Sequence, residues 1–384
     1  MYPKFGVHPF FIYICLISLI NTLMATKNGF KVIYKTIKDE IESNLYAAGS
    51  ILPTESQVAA RFDVSRPTIT KVYNLLQEEG YVRKKKGYGT EVISHRSKKT
   101  PLFGLLLPGA GESEIFAIIN DKLIEMSGNG GFTCLCEGAS ASNAKIRSDF
   151  LVSCTNEYIK QEVDGIIFSP LERIGKADEI NRQICEKIDE AGIPIVLVDR
   201  DICNFPERSK YDLVSIDNYS AGFIMGQHLI NQGCQKTYFF HRPFSAYSVQ
   251  QRISGVNAAL RQASLEPAEI VCGEPNDIEY IKSIAIAKKS GIICANDSTA
   301  ALLMSSLDEL GYTIGKDVII CGYDNMKYGK HLKYPLTSYW QPCEAIAKVS
   351  VELLLRRIAN PDATTVSTTI SGGIIQRESS LFIE

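Results

Sequence analysis

Ligand spacing for metals and thiol redox chemistry is missing from this sequence. The 384 residues include 11 cysteines and 5 histidines, yet no CxxC pair and no Cys/His cluster of zinc-ligand spacing. Neither a metal site nor a redox centre is expected. The cysteines run from Cys15 to Cys343, with Cys134 and Cys136 alternating in an apolar stretch, and read as small buried residues of a reducing compartment. A GxxxxGK[ST] loop, a GxGxxG after a strand, a GxSxG elbow and HExxH are absent as well. Together with the few histidines, this argues against an enzyme and against a bound cofactor.

Charge of one sign is also lacking. Lys and Arg number 41 against 43 Asp and Glu, for a net charge of -2, which excludes a uniformly basic coat, so that a basic patch must be sought locally. Hydrophobic residues at 45% and charged residues at 22% match ordinary globular domains rather than disorder or a multi-span membrane protein. One long apolar run stands out, Pro9 to Leu23. At about 15 residues it is short of the ~20 that span a bilayer, and no small-residue cleavage site follows it. Met24 opens the polar stretch MATKNGF, so residues 1–26 read as an over-extended gene start. The alternative is a membrane tether that would hold a sensor at the inner membrane surface. The chain length suits a small unit followed by a large one.

Within the first unit, Ile33, Ile37 and Ile41 recur every four positions and predict an amphipathic helix. Thr54 can cap a second helix and Gln57 can close a capping box, with Val58, Ala59 and Phe62 facing inward. Ser65 is placed to cap a third, in which Ile69, Val72, Tyr73 and Leu76 form the buried stripe. That stripe leaves Arg66, Thr70, Lys71 and Asn74 outward, donor-rich side chains able to reach phosphates and base edges. Beyond Gly80, the basic run Lys84, Lys85 and Lys86 leads into Gly87-Tyr88-Gly89-Thr90. This predicts two strands around a glycine turn, a wing whose lysines neutralise phosphates while its glycines let the tip approach the backbone.

Residues 34–92 resemble the winged helix-turn-helix domain of GntR-type regulators. The shared pattern is a leucine-proline-serine/threonine-glutamate turn, a serine-arginine pair before the recognition helix and a GxGT wing, found here as Leu52–Glu55, Ser65-Arg66 and Gly87–Thr90. The resemblance implies that Arg66 contacts DNA, that Thr68 supports it through the backbone and that Gly89 with Thr90 shapes the wing. Ser56 and Thr70 stand where many members of that family carry arginine, which removes two guanine readers and leaves the operator sequence open.

After the polar stretch 94–100 and Pro101, the chain alternates short apolar strands with helical stretches: FGLLLP, FTCLC, GIIFSP, PIVLVD, LVSID, TYFF, GIICAND and VIICGYD. A parallel sheet flanked by helices is expected, with ligands at the carboxyl ends of its strands. The polar residues closing those strands are Ser169, Asp199, Arg200, Asn296, Asp297 and Asp324. Such a set can hold several hydroxyls of a sugar. An enzyme using Asp199 and Asp324 as a carboxylate pair is the weaker alternative, because Arg200 and Arg252 would hold both acids ionised.

The stretches IPIVLVDRD, VSIDNYSAG, SVQQRISGVNAAL, IICANDSTA, VIICGYDN and PLTSYWQP resemble the effector domain of LacI-type repressors and of ribose-binding-protein-like sensors. The combination of the two units is similar to arabinose-repressor-like regulators. By that resemblance Asp199, Arg200, Arg252, Asn296, Asp324 and Gln341 are sugar ligands, and Phe116 is the aromatic near the first strand. In the loop 108–114 the family's asparagine and second aromatic are replaced. Trp340 precedes Gln341 at an inter-lobe crossing, where it serves either a hinge or the ligand.

The expected fold is α/β: an N-terminal winged helix-turn-helix at 27–95, a linker at 96–102, and at 103–384 a two-lobed periplasmic-binding-protein-like domain with parallel sheets, its lobes exchanging chain at three crossings. The expected function is a cytoplasmic, homodimeric transcription regulator, a repressor, whose affinity for double-stranded operator DNA is set by a sugar. An aldopentose or deoxyhexose is the preferred effector. No metal, cofactor or membrane partner is expected.

Overall fold

The computed structural model describes residues 29–42, 45–85, 87–93, 100–108, 114–128, 131–136, 144–204 and 206–382. The apolar stretch Pro9 to Leu23, Met24, Lys86, residues 96–99 of the linker and the loop 109–113 lie outside the described residues. Among the described residues no helix is long and apolar enough to cross a membrane, and no group of His, Cys, Asp and Glu is arranged to hold a metal ion. The chain divides into two compact units between Lys99 and Thr100.

In the first unit, helix α1 (Gly29–Glu42) buries Ile33, Ile37 and Ile41, one residue per turn. Helix α2 (Glu55–Phe62) starts at a capping box in which Gln57 and Thr54 satisfy each other's backbone N–H groups. Helix α3 (Arg66–Glu78) carries Pro67 in its first turn and buries Ile69, Val72, Tyr73 and Leu76 against α1 and α2. The Tyr73 hydroxyl donates to the Pro53 carbonyl at 2.6 Å, which gives this buried phenol a partner and ties α3 to the chain entering α2.

Strands β1 (Val82–Lys85) and β2 (Gly89–Val92) pair antiparallel with Lys85 opposite Gly89. Residues 49–52 run along the far side of β2. Leu52 N donates to Thr90 O at 2.8 Å and Val92 N to Ser50 O at 2.8 Å.

The second unit has two lobes, each built on a six-stranded sheet. The first holds β3 (Leu102–Leu106), β4 (Thr133–Cys136), β5 (Gly165–Phe168), β6 (Ile195–Val198), β7 (Asp212–Ile216) and β13 (Ser367–Ile370), in the order β13-β7-β6-β5-β3-β4 and parallel throughout. The second holds β8 (Thr237–His241), β9 (Glu269–Cys272), β10 (Ser290–Cys294), β11 (Val318–Tyr323), β12 (Thr337–Trp340) and β14 (Gly373–Ile375), in the order β14-β12-β11-β10-β8-β9. Its edge pair β12 and β14 is antiparallel, a departure from the all-parallel expectation. β5, β6, β7, β10 and β11 are buried along their whole length, because helices cover both sheet faces.

The chain passes between lobes after β7, after β12 and after β13. Helix α4 (Glu114–Gly128), α5 (Ala144–Lys160) and α6 (Ala177–Glu190) belong to the first lobe. In the second, α7 (Asn218–Asn231) and α8 (Tyr247–Gln262) cross at touching distance, followed by α9 (Ile278–Ile284) and α10 (Asp297–Glu309). The last helix, α11 (Cys343–Ala359), returns to pack on α4 and on strands of the first lobe.

Glycine makes the α7–α8 crossing possible. A Cβ at Gly222 would lie 2.0 Å from the Arg252 carbonyl oxygen, and one at Gly255 would lie 2.0 Å from that of Tyr219. The backbone of Arg252 is therefore pressed against α7, and this close approach sets where its side chain begins.

Candidate ligand cleft and DNA-reading face

On the first unit, Arg66 opens α3 with 70% of its side chain exposed, and its Nε lies 3.3 Å from Glu55 Oε2. Thr70 Oγ1 donates to the same carboxylate at 2.8 Å, and Lys84 Nζ approaches its other oxygen at 3.4 Å. Burial pushes the Glu55 carboxyl up, but hydrogen bonds from Thr70, Lys84 and Arg66 outweigh it and hold the group below the usual carboxylate range. Glu55 thus gathers α2, α3 and the wing around one acceptor. Sequence reasoning used it only as part of a motif.

Lys71 is exposed on the same helix. Lys85 Nζ is 2.8 Å from Glu91, which also takes Arg83. Thr54 is exposed, and its hydroxyl is engaged by the capping box.

One expectation needs correcting here. Ser65 occupies the cap position of α3 but makes no side-chain capping bond; its hydroxyl pairs with that of Thr68 at 2.9 Å, while Thr68 N bonds the Ser65 carbonyl. Thr90 is 8% exposed, so its side chain packs under the wing and does not reach outward. Gly87 (φ +80°) and Gly89 (φ +113°) hold conformations that side chains resist, and a Cβ on Gly89 would sit 2.9 Å from Ile51 Cγ2.

In the second unit, Phe116, Asp199, Arg200, Arg252, Asn296, Asp324 and Gln341 line one cavity of about 40 Å³ between the lobes, together with Glu172 and Ser248. By volume it holds about three waters, less than a monosaccharide needs. Ser169 does not join them. It is fully buried behind the end of β5, with a hydroxyl that has no hydrogen-bond partner. A larger hollow of about 680 Å³ adjoins the cavity and shares Glu172, Arg200 and Ser245 with it. Its remaining lining comes from residues 170–186, Asp201 and the loop 244–247 after β8, whereas the small cavity collects the buried polar side chains of Asp199, Arg200, Arg252, Asp324 and Gln341. That convergence makes the small cavity the candidate binding site.

Arg200, 6% exposed, is held by Asp199 at 2.8 Å and lies 2.8 Å from Glu172; its guanidinium stands 5.6 Å from the Phe116 ring centroid. Burial would lower its pKa, but Glu172 and Asp199 raise it further. Across the cleft, Arg252 donates to Asn218 Oδ1 at 2.8 Å and to the Ala295 carbonyl at 2.6 Å, and its guanidinium lies 4.4 Å from the Tyr323 ring centroid. Asn296 caps α10 through its carbonyl oxygen, which leaves its amide N–H₂ toward the cavity. Gln341 donates to Asp324 Oδ1 at 2.6 Å, and its own oxygen is buried without a hydrogen-bond partner.

Both strand-end carboxylates sit on strained backbone, Asp199 at φ +71° and Asp324 at φ +104°. Conformations of this kind cost ~1–3 kcal/mol each and persist where the surroundings over-determine them.

The ionisation of Asp324 also differs from expectation. Asp324 is not held charged. Burial pushes its pKa up to about 7, and Asp199 and Glu172 add to that, while Arg252 and Gln341 counteract only in part. Behind it, Asp297 is fully enclosed and accepts from Ser338 Oγ at 2.7 Å and Met326 N at 2.8 Å; burial and Asp324 keep its pKa well above the usual range. Asp297 therefore locks the turn after β11 instead of facing the cavity.

Sequence reasoning missed Glu172, Asn218 and Ser248. Asn218 and Ser248 lie inside stretches that carried the family resemblance. Glu172 had a visible signal, a charged residue just beyond a buried strand.

Residues 31–92 match the family model of bacterial regulatory proteins, gntR family, and residues 227–380 match that of a periplasmic binding protein-like domain. The chain is 29% identical over 211 residues to the HTH-type transcriptional repressor PurR of Vibrio atlanticus (strain LGP32), which covers 53% of this chain and 60% of that repressor. It is 23% identical over 321 residues to the arabinose metabolism transcriptional repressor of Geobacillus stearothermophilus, covering 80% of this chain and 85% of that protein.

Among solved structures, the CelR–cellobiose complex, a transcriptional regulator, superposes with a TM-score of 0.61 at 22% identity, covering 85% of this chain and all 100% of that one. A LacI family transcriptional regulator from Enterococcus faecium with bound ribose gives 0.59 at 22% identity, covering 74% of this chain and 100% of that one. The chain therefore joins a gntR-type helix-turn-helix domain to a periplasmic-binding-protein-like domain, and has transcriptional repressors among its relatives.

Proposed function

We propose that this protein is a transcription repressor, with no enzymatic activity, that binds operator DNA through α3 and the wing and is controlled by a monosaccharide in the inter-lobe cavity. One observation carries the reading: a chain with an exposed Arg66–Lys71 helix face also gathers ten polar or aromatic side chains, from separate stretches of both lobes, around one cavity. Arg66 and Lys71, with Lys85 at the wing, take the DNA backbone and base edges; Asp199, Arg200, Arg252, Asn296, Asp324 and Gln341 take sugar hydroxyls; Phe116 covers an apolar ring face.

The Gln341 oxygen and the unusual backbone at Asp199 and Asp324 support this, since a hydroxyl donor would complete the first and a fixed ligand geometry accounts for the second. Ribose and cellobiose in structures of the same fold support the sugar class, and an aldopentose or deoxyhexose remains the preferred effector. The cavity must open to admit it. A ligand that binds one lobe arrangement better than another shifts their populations, and only that difference can alter operator affinity. Action as a cytoplasmic homodimer on a two-fold operator follows from the short site one winged helix reads.

A thermal-shift panel of monosaccharides against the full chain tests the reading, because a ligand specific to the folded state raises its melting temperature. A sugar that stabilises the protein and changes its retention of operator DNA is the expected result. Stabilisation without any change in DNA binding overturns the coupling.

A further inference from the structure

Two loops meet across the lobes: residues 169–176 after β5 in the first, and residues 242–246 in the second, which run from β8 directly into α8. A backbone N–H crosses from each. Arg173 N donates to the Phe244 carbonyl at 2.7 Å, and Ala246 N donates to Glu172 Oε2 at 3.0 Å. Beside them, the Tyr247 hydroxyl donates to Asp178 Oδ2, joining the first turn of α8 to the first turn of α6. Arg173 and Phe244 are both held at φ +56°, a left-handed conformation that residues other than glycine keep where their surroundings impose it.

Ala246 is the N-cap residue of α8 and has no side chain to cap with. A helix opens on unpaired N–H groups and favours negative charge there. Glu172 supplies the acceptor and the charge from the opposite lobe. Burial pushes its carboxyl up, but Arg200, 2.8 Å away, and the Ala246 amide outweigh it and hold the group below the usual carboxylate range, so the cap is ionised. Glu172 also lines the ligand cavity, as do Ser248, Val249 and Arg252 from the first turns of α8. The helix that presents Arg252 is thus docked on the other lobe through a carboxylate of the same cavity.

From these contacts we infer that the two loops form an autoinhibitory latch: they hold the lobes in an arrangement whose cavity, about 40 Å³, is too small for a monosaccharide, so that the effector enters only as the latch opens. This rests on the sugar-sensor reading above and adds how that site is regulated. Each latch bond stabilises the excluding arrangement. Weakening one raises the fraction of protein competent to bind, and apparent affinity rises with that fraction. Tyr247 and Asp178 set the balance from outside the lining of the cavity.

The test compares the full chain with its Tyr247→Phe and Asp178→Asn variants by hydrogen exchange read by mass spectrometry, and by calorimetric titration with D-ribose and L-rhamnose, an aldopentose and a deoxyhexose. Peptides spanning residues 170–176 and 242–249 should exchange about three- to tenfold faster in each variant, as expected for the loss of one hydrogen bond. Peptides from β10 and β11 should keep the wild-type rate, and a sugar that binds the wild type should bind both variants tighter by a similar factor. Wild-type exchange in the two loops overturns the latch. Faster exchange with unchanged or weaker sugar binding also overturns it, because the contact then does not oppose the ligand. Faster exchange in variants of a chain that binds neither sugar supports the latch and tells against the sugar reading alone. If Asp178→Asn does not fold, Tyr247→Phe, which removes only a hydroxyl, decides.

Discussion

Arg66 and Arg252 are the same side chain in opposite settings. Arg66 is 70% exposed and shares Glu55 with Thr70 and Lys84; Arg252 is 5% exposed and committed to Asn218 and a backbone carbonyl. An exposed ion pair contributes little to folding and can be exchanged for a phosphate at little cost. A buried cation is part of the architecture, and its removal leaves acceptors unsatisfied. The proposed DNA-reading face is accordingly a surface that partners can rearrange, whereas the proposed ligand cleft is a prebuilt cage in which Arg200 and Arg252 already have protein partners that a ligand would have to replace.

The strongest way to break this contrast is Arg252→Ala. Loss of the buried guanidinium leaves the Ala295 carbonyl and Asn218 without their donor and removes the cation nearest Asp324, at an expected cost of ~3–5 kcal/mol in denaturant unfolding. Sugar-induced stabilisation should vanish while operator binding survives in the fraction that remains folded. A folded variant that has lost both activities would contradict a cage separate from the DNA face.

A smaller effect sharpens the other side. Arg66→Ala should lower operator affinity by roughly 10–100-fold, in line with ~1–3 kcal/mol for a good arginine contact, and should flatten the salt dependence of binding by about one unit of slope. The melting temperature and the sugar response should stay as in the wild type. An unfolding midpoint that moves as far as that of Arg252→Ala would mean the Glu55 cluster is structural rather than exchangeable.

The same contrast governs what could be read from the sequence. In the first unit, the spacing of Ile33, Ile37 and Ile41 and the Thr54–Gln57 capping box are local patterns that correspond directly to α1 and α2. The strand-like pairing of residues 49–52 with β2 was not legible, since it depends on which segment lies alongside. In the second unit, the central buried strands stood out as apolar runs. The edge strands β9, β13 and β14, short and partly exposed, did not. Strand-end polar residues located the cleft, but which of them face it depends on packing. Ser169 ends its strand behind the cavity, Asp297 bonds the turn after β11, and Glu172 enters from a loop. The ionisation of Asp324 was misjudged for a related reason: proximity to Arg252 is visible in a family pattern, whereas the degree of burial that outweighs it is not.

The ionisation of Asp324 provides the finest test. Its carboxyl titrates near its ordinary value of 3.8 when unfolded and at about 7 in the folded cleft. The folded state therefore holds the proton more tightly than the unfolded chain. The stability contributed by the protonated carboxyl is fully present below about pH 4 and is lost as pH rises toward 7, with a slope of up to about 1.4 kcal/mol per pH unit in between. Asp324→Asn cannot titrate. Urea unfolding from pH 4.5 to 8 should show the wild type losing stability relative to this variant as pH rises, with the two curves running parallel above about pH 7.5. Other carboxyls, such as Glu172 and Glu55, are held low and pull the opposite way, but they are common to both proteins and cancel in the difference. Curves parallel across the whole range would show that Arg252 keeps Asp324 charged after all.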